Sequence, residues 1–289
     1  MPPSASTAHL VWAPDPVLLR LGSFQLRWYG LLLALAIALG FAVWYRRARR
    51  HGESAAMAEG WLWWSVAATL VGGRLGELLF YRPRELLADP ASLFAVADGG
   101  MSSHGVTLAL LLAAWAFARR HGTTVLRVGD YFAPGIALGA CLVRLGNFFN
   151  SEIVGRPSEV PWAVVFARHD ALPRHPVQLY EAAAAVASML AIRAAERGGR
   201  ARAGSGAAIG IFLVVYFGAR LVLERFKAPM TEQLFGAGGV LREMLPALSA
   251  TTGQWLSVVP AVVGAALVAR AAHGRRGAAR SALGVRRSA

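Results

Sequence analysis

The stretch Leu142-Val-Arg-Leu-Gly-Asn-Phe-Phe-Asn-Ser-Glu-Ile-Val-Gly-Arg156 ends an apolar run that is long enough to cross a membrane. It carries Arg144, Asn147, Asn150 and Glu152 before the chain turns at Gly155. A charged side chain at membrane depth costs roughly 3 kcal/mol on insertion scales. A membrane helix that ends in this way is therefore a candidate functional site. The alternative to a functional site is a purely structural role. The arginine would then extend its charged end to the lipid headgroups, and the asparagines would cap the end of the helix.

The composition is that of a polytopic membrane protein rather than a soluble domain. Of the 289 residues, 56% are hydrophobic and only 16% are charged, and the mean hydropathy is +0.45. The net charge is +14, but Lys and Arg cluster in short segments between apolar runs, as in cytoplasmic loops. No basic patch interleaved with aromatic residues is visible, so we expect no nucleic-acid partner. The single cysteine, Cys141, lies within an apolar run and belongs to no metal-binding pattern.

The apolar runs predict an all-α fold with seven transmembrane helices. The predicted spans are residues 28–45, 59–81, 104–119, 129–150, 176–192, 205–224 and 251–269. They form one transmembrane domain, residues 1–270, followed by a basic tail at 271–289. Between the spans, residues 160–166 are predicted as a short strand or an interfacial segment, and residues 240–245 as a short helix.

The distribution of basic residues orients these helices. The connections after the first, third and fifth spans, together with the tail, hold seventeen Lys and Arg residues, whereas the N-terminus and the other connections hold ten. Because basic residues accumulate on the cytoplasmic side of a membrane, we predict that the N-terminus lies outside and the C-terminus in the cytoplasm.

In this orientation, polar residues within the spans fall almost entirely in the outer halves. They are Tyr29, Arg74, Glu77, Tyr81, His104, Arg144, Asn147, Asn150, His175, Gln178, Tyr180, Glu181, Tyr216, Arg220 and Glu224. Side chains that reached the headgroups independently would occupy both ends of the helices. The one-sided distribution therefore predicts a single polar cavity near the outer leaflet.

Spacing supports the cavity, although three of its residues have an alternative interpretation. Tyr216, Arg220 and Glu224 recur at i, i+4 and i+8, so they share one helix face. The residues at 74 and 77 also face each other at i, i+3, but they fit a structural ion pair equally well. His104 is a candidate for the site, and it also fits a cap at the start of the third span.

Two or three guanidinium groups in a cavity of low dielectric constant suit a phosphate diester headgroup, because Arg binds phosphate in a bidentate fork. A nearby His or carboxylate could handle a proton. No Gly-x-Ser-x-Gly motif, cysteine nucleophile or paired metal ligands accompany them. The residues by themselves therefore indicate a phospholipid-binding enzyme of the outer leaflet or a transporter for an anion.

Seven blocks, spanning about residues 25–270, resemble the motifs of the prolipoprotein diacylglyceryl transferase family and occur in the family's order. They are Arg27-Trp-Tyr-Gly30, Gly72-Gly-Arg-Leu-Gly76, Gly99-Gly-Met-Ser-Ser-His-Gly105, Arg144-Leu-Gly-Asn-Phe-Phe-Asn-Ser-Glu-Ile-Val-Gly-Arg156, Arg174-His-Pro-Val-Gln-Leu-Tyr-Glu181, Tyr216-Phe-Gly-Ala-Arg-Leu-Val-Leu-Glu224 and Gly253-Gln-Trp-Leu-Ser257. Each block is weak alone, but the ordered set is specific.

The resemblance implies a seven-helix enzyme of the bacterial inner membrane, with its active site toward the periplasmic face. Enzymes of this family transfer the diacylglyceryl group of phosphatidylglycerol to the thiol of the lipobox cysteine in a prolipoprotein signal peptide. A thioether forms and glycerol phosphate leaves. The resemblance implies neither a metal nor an organic cofactor.

When each block is matched to the corresponding motif of the family, the resemblance implies catalytic roles for His104, Arg144 and Arg220. The two arginines would hold the phosphate and stabilise charge on the departing glycerol phosphate, and the histidine would take the thiol proton. The implied substrate-binding residues are Tyr29, Asn147, Asn150, Glu152, Tyr216 and Glu224. Glu224 is also expected to hold Arg220.

Three positions depart from the family's motifs. Val143 and Val106 stand where glycine is usual, and Lys227 stands where arginine is common. These departures leave open a divergent member of the family with another acceptor. The alternative from a different class is a transporter or flippase for an anionic lipid or solute, which half-helix ends at the membrane midplane would favour.

Overall fold

The structure, a computed structural model, describes residues 9–22, 24–94, 102–228 and 252–287 and is mostly helical. Its helices are α1 (Trp28–Arg50), α2 (Ala55–Tyr81), α3 (Pro83–Ala88), α4 (Ser103–Arg120), α5 (Val125–Phe149), α6 (Val177–Arg197), α7 (Ala207–Phe212), α8 (Gly218–Leu223) and α9 (Thr252–Arg287). A π-helical segment, Leu213–Phe217, joins α7 to α8 without a break. Short 3-10 helices lie at Pro90–Phe94 and Glu224–Phe226.

Four helical stretches are long and apolar enough to cross a membrane: Trp28–Arg50, Val125–Phe149, Ala207–Phe226 and Leu256–Arg276. They correspond to the first, fourth, sixth and seventh predicted spans. The other three predicted spans coincide with α2, α4 and α6, which are helical over 27, 18 and 21 residues.

Several helices extend beyond the predicted spans. Helix α1 continues to Arg50 and α6 to Arg197, so both run past the arginines that mark the end of the apolar run. Helix α9 continues to Arg287, so residues 271–287 of the basic tail are helical. Alanine and arginine favour helix, and a helix need not end where its apolar run ends. The short helix predicted at residues 240–245 lies outside the described residues.

Helix α5 lies at the centre of the bundle. It packs against α1, α6 and α7, whereas α2 packs against α4, and α9 packs against α7 and the π-helical segment. Trp44, Trp61, Phe117 and Tyr131, from four different helices, form an almost fully buried aromatic core at one end of the bundle. This apolar core closes the end predicted to be cytoplasmic, and the polar residues of the spans lie toward the other end.

Two small sheets cover that other end, and only one of their strands was predicted. Strand β1 (Leu10–Trp12) pairs in parallel with β4 (Val164–Phe166), which pairs antiparallel with β5 (Pro173–Arg174). Strands β2 (Val17–Leu21) and β3 (Phe24–Arg27) form an antiparallel hairpin. The all-α prediction is therefore wrong for this part, because strands of two to five residues carry too short a pattern to recognise.

The three-stranded sheet sits directly on the end of α5. The indole Nε1 of Trp12 donates a hydrogen bond to the carbonyl oxygen of Phe148 at 3.0 Å, and the two rings lie 4.4 Å apart. The sheet is thereby anchored beside the polar stretch with which α5 ends.

Candidate active site

A buried carboxylate joins three cationic side chains beneath the sheets. Glu181, in the second turn of α6, is fully buried, and its Oε2 lies 2.8 Å from Nε of Arg144. Its Oε1 lies 2.9 Å from Nζ of Lys227 and 3.5 Å from Nη1 of Arg220. The same Nζ lies 3.0 Å from Oε2 of Glu224. These five residues, named here the charge cluster, carry three positive and two negative charges, so their net charge is +1.

The charge cluster depends on two loops that hold each other in place. Gly155, after α5, and Lys227, after α8, form an isolated β-bridge. The backbone N–H of Arg156 donates to the carbonyl oxygen of Phe226 at 2.8 Å, and its Nε donates to that of Lys227 at 2.9 Å. These contacts hold the backbone of Lys227 so that its ammonium lies against the carboxylate of Glu181 on α6.

A second group of polar residues holds Glu152 beside the cluster. Asn147 links the two groups, because its Oδ1 accepts from Nη1 of Arg144 at 3.4 Å and its Nδ2 donates to Oε2 of Glu152 at 3.2 Å. Nδ2 of Asn150 donates to Oε1 of Glu152 at 3.1 Å. Nε2 of the fully buried Gln178 donates to the backbone oxygen of Glu152 at 2.6 Å. Glu152 itself remains exposed, so its carboxylate is accessible to a substrate.

The backbone around Glu152 is strained. Ser151 and Ile153, on either side of it, have φ angles of 57° and 55°. This left-handed region is rare for residues with a side chain and an outlier for a β-branched one. Such strain persists only where the surroundings impose it, and it is concentrated at functional sites. The hydrogen bond from Gln178 is one of the contacts that impose it here.

Two tyrosines flank Arg144. Gly146 makes room for Tyr29, because a Cβ atom at position 146 would lie 2.8 Å from Cδ2 of that ring. Tyr216 lies in the π-helical segment, is buried, and stacks on Phe212 with ring centroids 5.3 Å apart. Tyr216 lies close enough to Arg144 to interact with its charge. Single π-helical turns are frequent at functional sites.

His104 is the second residue of α4, and the cap of that helix is a different residue. The Oγ of Ser102 accepts a hydrogen bond from the backbone N–H of Gly105 at 3.3 Å, so Ser102 is the N-cap. The backbone N–H of Ser102 donates to the oxygen of Gly73 in α2 at 2.9 Å. A Cβ atom at position 105 would lie 2.1 Å from the oxygen of Gly72. These contacts hold the backbone at His104 against α2. The structure describes the backbone of this residue and not its side chain.

Arg74 and Glu77 have structural partners. Arg74 is almost fully buried and donates from Nε and Nη2 to the backbone oxygen of Ser92, at 3.0 and 2.7 Å. Glu77 forms an ion pair with Arg82 at 3.8 Å. These contacts hold the connection that follows α2, and they join each residue to a partner other than the one expected from the i, i+3 spacing.

A histidine at the start of α6 adds a neutral group near the site. Nδ1 of His175 lies 3.2 Å from the hydroxyl of Tyr180, and its backbone oxygen accepts from the N–H of Gly155 at 3.1 Å. Partial burial lowers the pKa of His175 below its ordinary value. Its imidazole is therefore mainly neutral at pH 7.

Most of the residues proposed from sequence converge in the structure. Those brought together are Tyr29, Arg144, Asn147, Asn150, Glu152, Tyr216, Arg220 and Glu224. The expected pair of Glu224 with Arg220 is replaced by two others, because Arg220 meets Glu181 and Glu224 meets Lys227. Sequence reasoning placed Glu181 in the predicted polar cavity but assigned it no catalytic or binding role, although a carboxylate within a predicted span is itself a signal of function.

The charge cluster is suited to binding an anion. Guanidinium and ammonium groups bind phosphate through charge-assisted hydrogen bonds, and a net charge of +1 complements the single negative charge of a phosphate diester. In the part of the chain that the structure describes, no group of three His, Cys, Asp or Glu side chains is placed to hold a metal ion.

Comparison with known proteins points to one family. A family profile described as "Prolipoprotein diacylglyceryl transferase" matches residues 16–270. A phosphatidylglycerol–prolipoprotein diacylglyceryl transferase from Tolumonas auensis is 38% identical over 260 residues, which cover 90% of this chain and 96% of that protein. Proteins of the same name from Azoarcus sp. and Cupriavidus metallidurans are 40% and 36% identical, over 90% and 93% of this chain and 96% and 97% of their own lengths.

Proposed function

The chain belongs to the prolipoprotein diacylglyceryl transferase family, and from this premise we propose that it transfers the diacylglyceryl group of phosphatidylglycerol to prolipoproteins. The observation that carries this proposal is the charge cluster, whose net charge of +1 complements the phosphate diester of that lipid. The acceptor that we propose is the thiol of the lipobox cysteine in the signal peptide.

In the proposed reaction, the sulfur of the thiolate attacks the diacylglyceryl carbon that bears the phosphate ester. A carbon–sulfur bond forms, and the carbon–oxygen bond breaks with its electron pair leaving on glycerol phosphate. Negative charge grows on the phosphate as this bond breaks, so Arg144, Arg220 and Lys227 would stabilise the transition state more than the ground state. The thiol must lose its proton to become nucleophilic, and we assign His104 as the acceptor.

The remaining residues would bind and orient substrates. Glu152, held by Asn147 and Asn150, presents an exposed carboxylate to the headgroup hydroxyls or to the peptide. Tyr29 and Tyr216 would support Arg144 from both sides, and Glu224 would act by positioning Lys227.

We propose that all seven long helices span the bacterial inner membrane, with the N-terminus and the active site outside and the C-terminus in the cytoplasm. The excess of basic residues in the connections opposite the site supports this orientation. A reporter that is active only in the cytoplasm should work when fused after Ala289 and fail when inserted in residues 156–170. The reverse pattern would place the charge cluster in the inner leaflet.

No feature of the described spans favours a transporter. Transporters commonly place half-helix ends at the membrane midplane. Here the sixth span stays helical through its π-helical segment, and the first and fourth spans are continuous helices.

The activity can be tested with purified protein, phosphatidylglycerol vesicles and a synthetic lipobox peptide. We expect the peptide mass to increase by one diacylglyceryl group and glycerol phosphate to appear in equal amount. A peptide with serine in place of cysteine is the matched control and should stay unmodified. An unchanged mass of the cysteine peptide would contradict the proposal.

The role of His104 can be tested with His104→Asn. Because Ser102 caps α4, asparagine at the second helical position should not disturb the helix, but it cannot accept a proton. We expect a loss of about a hundredfold in transfer rate, partly recovered above about pH 8.5, where the peptide thiol ionises by itself.

Ser103→Asn, at the neighbouring position, is the matched control and should keep normal activity. A loss in His104→Asn without recovery at high pH would mean that His104 binds substrate rather than the proton. Full activity at every pH would remove His104 from the site.

A further inference from the structure

A cavity lies at the end of the bundle opposite the charge cluster. It is a groove of about 370 Å³ between α6, α7 and α9. Its apolar wall consists of small and branched side chains, namely Ala191, Ala194, Ala195, Ala207, Ile211 and Val268. Two arginines, Arg200 and Arg275, complete the lining. The groove is therefore apolar along the helices and cationic at its rim.

The two arginines come from different elements, and hydrogen bonds tie these elements to each other. Arg275, on α9, donates from Nη1 to the backbone oxygen of Arg200, in the connection between α6 and α7. Arg270, one turn earlier on α9, donates from Nη2 to the oxygen of Ser205 in the same connection at 2.7 Å. Both bonds tie α9 to residues 200–205, so the side chain of Arg275 lies against the backbone of Arg200, and both arginines line the same groove.

The rim lacks a balancing negative charge. Glu196 is the carboxylate nearest in sequence, and its Oε1 is paired with Nη2 of Arg47 at 2.5 Å. Among the residues that the structure describes, neither Arg200 nor Arg275 forms an ion pair with a carboxylate. Two cations that line one groove without a carboxylate partner both attract an anion that binds there.

The depth of the groove matches the opposite membrane leaflet. Glu181 and Arg197 are sixteen residues apart on α6, which corresponds to about 24 Å along the helix at 1.5 Å per residue. This distance is close to the thickness of the hydrocarbon core, about 30 Å. A ligand at the rim of the groove would therefore lie in the leaflet that does not face the charge cluster.

We propose that this groove binds an anionic glycerophospholipid of the cytoplasmic leaflet. Its phosphate lies between the rim arginines, and one acyl chain lies along the alanines of α6, where the small side chains leave space. Basic pockets between transmembrane helices on the cytoplasmic side suit such headgroups, and guanidinium groups bind phosphate through charge-assisted hydrogen bonds. The bound lipid joins α6, which carries Glu181, to α9. The proposal rests on the orientation proposed above and is independent of the transferase activity.

The test measures lipid retention by the full-length chain in detergent, using native mass spectrometry. The probes are phosphatidylserine, with one net negative charge, and phosphatidylcholine, with none, carrying identical acyl chains. We expect phosphatidylserine to bind more tightly, and the double variant Arg200→Gln/Arg275→Gln to weaken it about thirtyfold, the combined effect of two arginines near a membrane surface.

A matched control is Arg193→Gln/Arg197→Gln, because these exposed arginines lie on the same end of α6 but do not line the groove. It loses the same net charge and should keep its phosphatidylserine. Equal losses in the two double variants would show attraction by overall charge alone and would overturn the proposal. Equal retention of both lipids by the unaltered protein would overturn it too.

A single substitution, Ala191→Phe, keeps both rim arginines and fills the apolar part of the groove. We expect it to release phosphatidylserine as well. Normal retention in this variant would show that no acyl chain occupies the groove and would overturn the site as proposed. Unchanged unfolding temperatures in lipid-free detergent would confirm that every variant is folded.

Discussion

Replacing Glu181 by glutamine is expected to lower the transfer rate about a hundredfold or more, the effect typical of disturbing one preorganised charge-stabilising contact. The substitution keeps the size of the side chain and removes the one carboxylate that contacts Arg144, Arg220 and Lys227 together. The three cations would then repel each other and lose their common position. The charge of the cluster would rise by one, so binding of the anionic lipid should not weaken. We therefore expect kcat to fall while KM stays constant or decreases.

The same substitution should destabilise the protein. Removing one partner of a buried ion pair costs about 3–5 kcal/mol, because the other charge is left uncompensated. Glu181 is fully buried, so solvent cannot replace its carboxylate. Added glycerol phosphate supplies a negative charge, and it should raise the unfolding temperature of Glu181→Gln more than that of the unaltered protein.

Two further variants on α6 test whether the losses in Glu181→Gln are due to its missing carboxylate charge. Ser188→Ala removes a buried polar group that only donates to the oxygen of Ala184 at 2.8 Å, and it should have little effect on rate or stability. Glu181→Asp keeps the charge with a shorter reach and should recover part of the activity. If Glu181→Gln had normal kcat and normal stability, the charge cluster would not be the catalytic centre.

Replacing Arg144 by lysine is expected to reduce activity by about a hundredfold, although the charge is kept. Arg144 uses Nε for Glu181 and Nη1 for Asn147, so its fork serves both partners and still leaves donors for a phosphate. A single ammonium cannot span these positions. Loss of one or two charge-assisted hydrogen bonds, at about 1.5–3 kcal/mol each, accounts for a reduction of this size.

Arg220→Lys should have a smaller effect than Arg144→Lys. Arg220 contacts Glu181 through Nη1 alone, at 3.5 Å, and a lysine could make a similar contact. The measurement is kcat/KM for phosphatidylglycerol, with Arg193→Lys at the far end of α6 as the control. Near-full activity of both site variants would mean that the arginines act only as point charges.

Part of the site was predictable because it follows from spacing along one helix. Arg144 and Asn147 lie at i, i+3, and the structure joins them by a hydrogen bond. Positions on one helix have a fixed angular relation, so their proximity does not depend on the packing of the rest of the chain. Long apolar runs likewise predicted helices at all seven positions, because burial of backbone polar groups in lipid requires helix.

The role of Glu181 depended on packing between elements and was not predictable. Its three cationic partners lie between 37 and 46 residues away along the chain and come from different elements. No local pattern specifies that such residues will meet, because the meeting is decided by how α5, α6 and α8 cross. Lys227 is the clearest example, since it lies in a loop, and a backbone bridge to Gly155 places it.

The sequence by itself therefore determined which segments are apolar helices, which end of each carries polar groups, and which family motifs are present. Only the tertiary structure decided which charges pair, because side-chain partners across helices depend on three-dimensional packing. It also decided that the end of the bundle that bears the charge cluster is covered by short strands. Those strands, such as β1 at Leu10–Trp12, are stabilised by pairing with residues more than 150 positions away rather than by their own pattern.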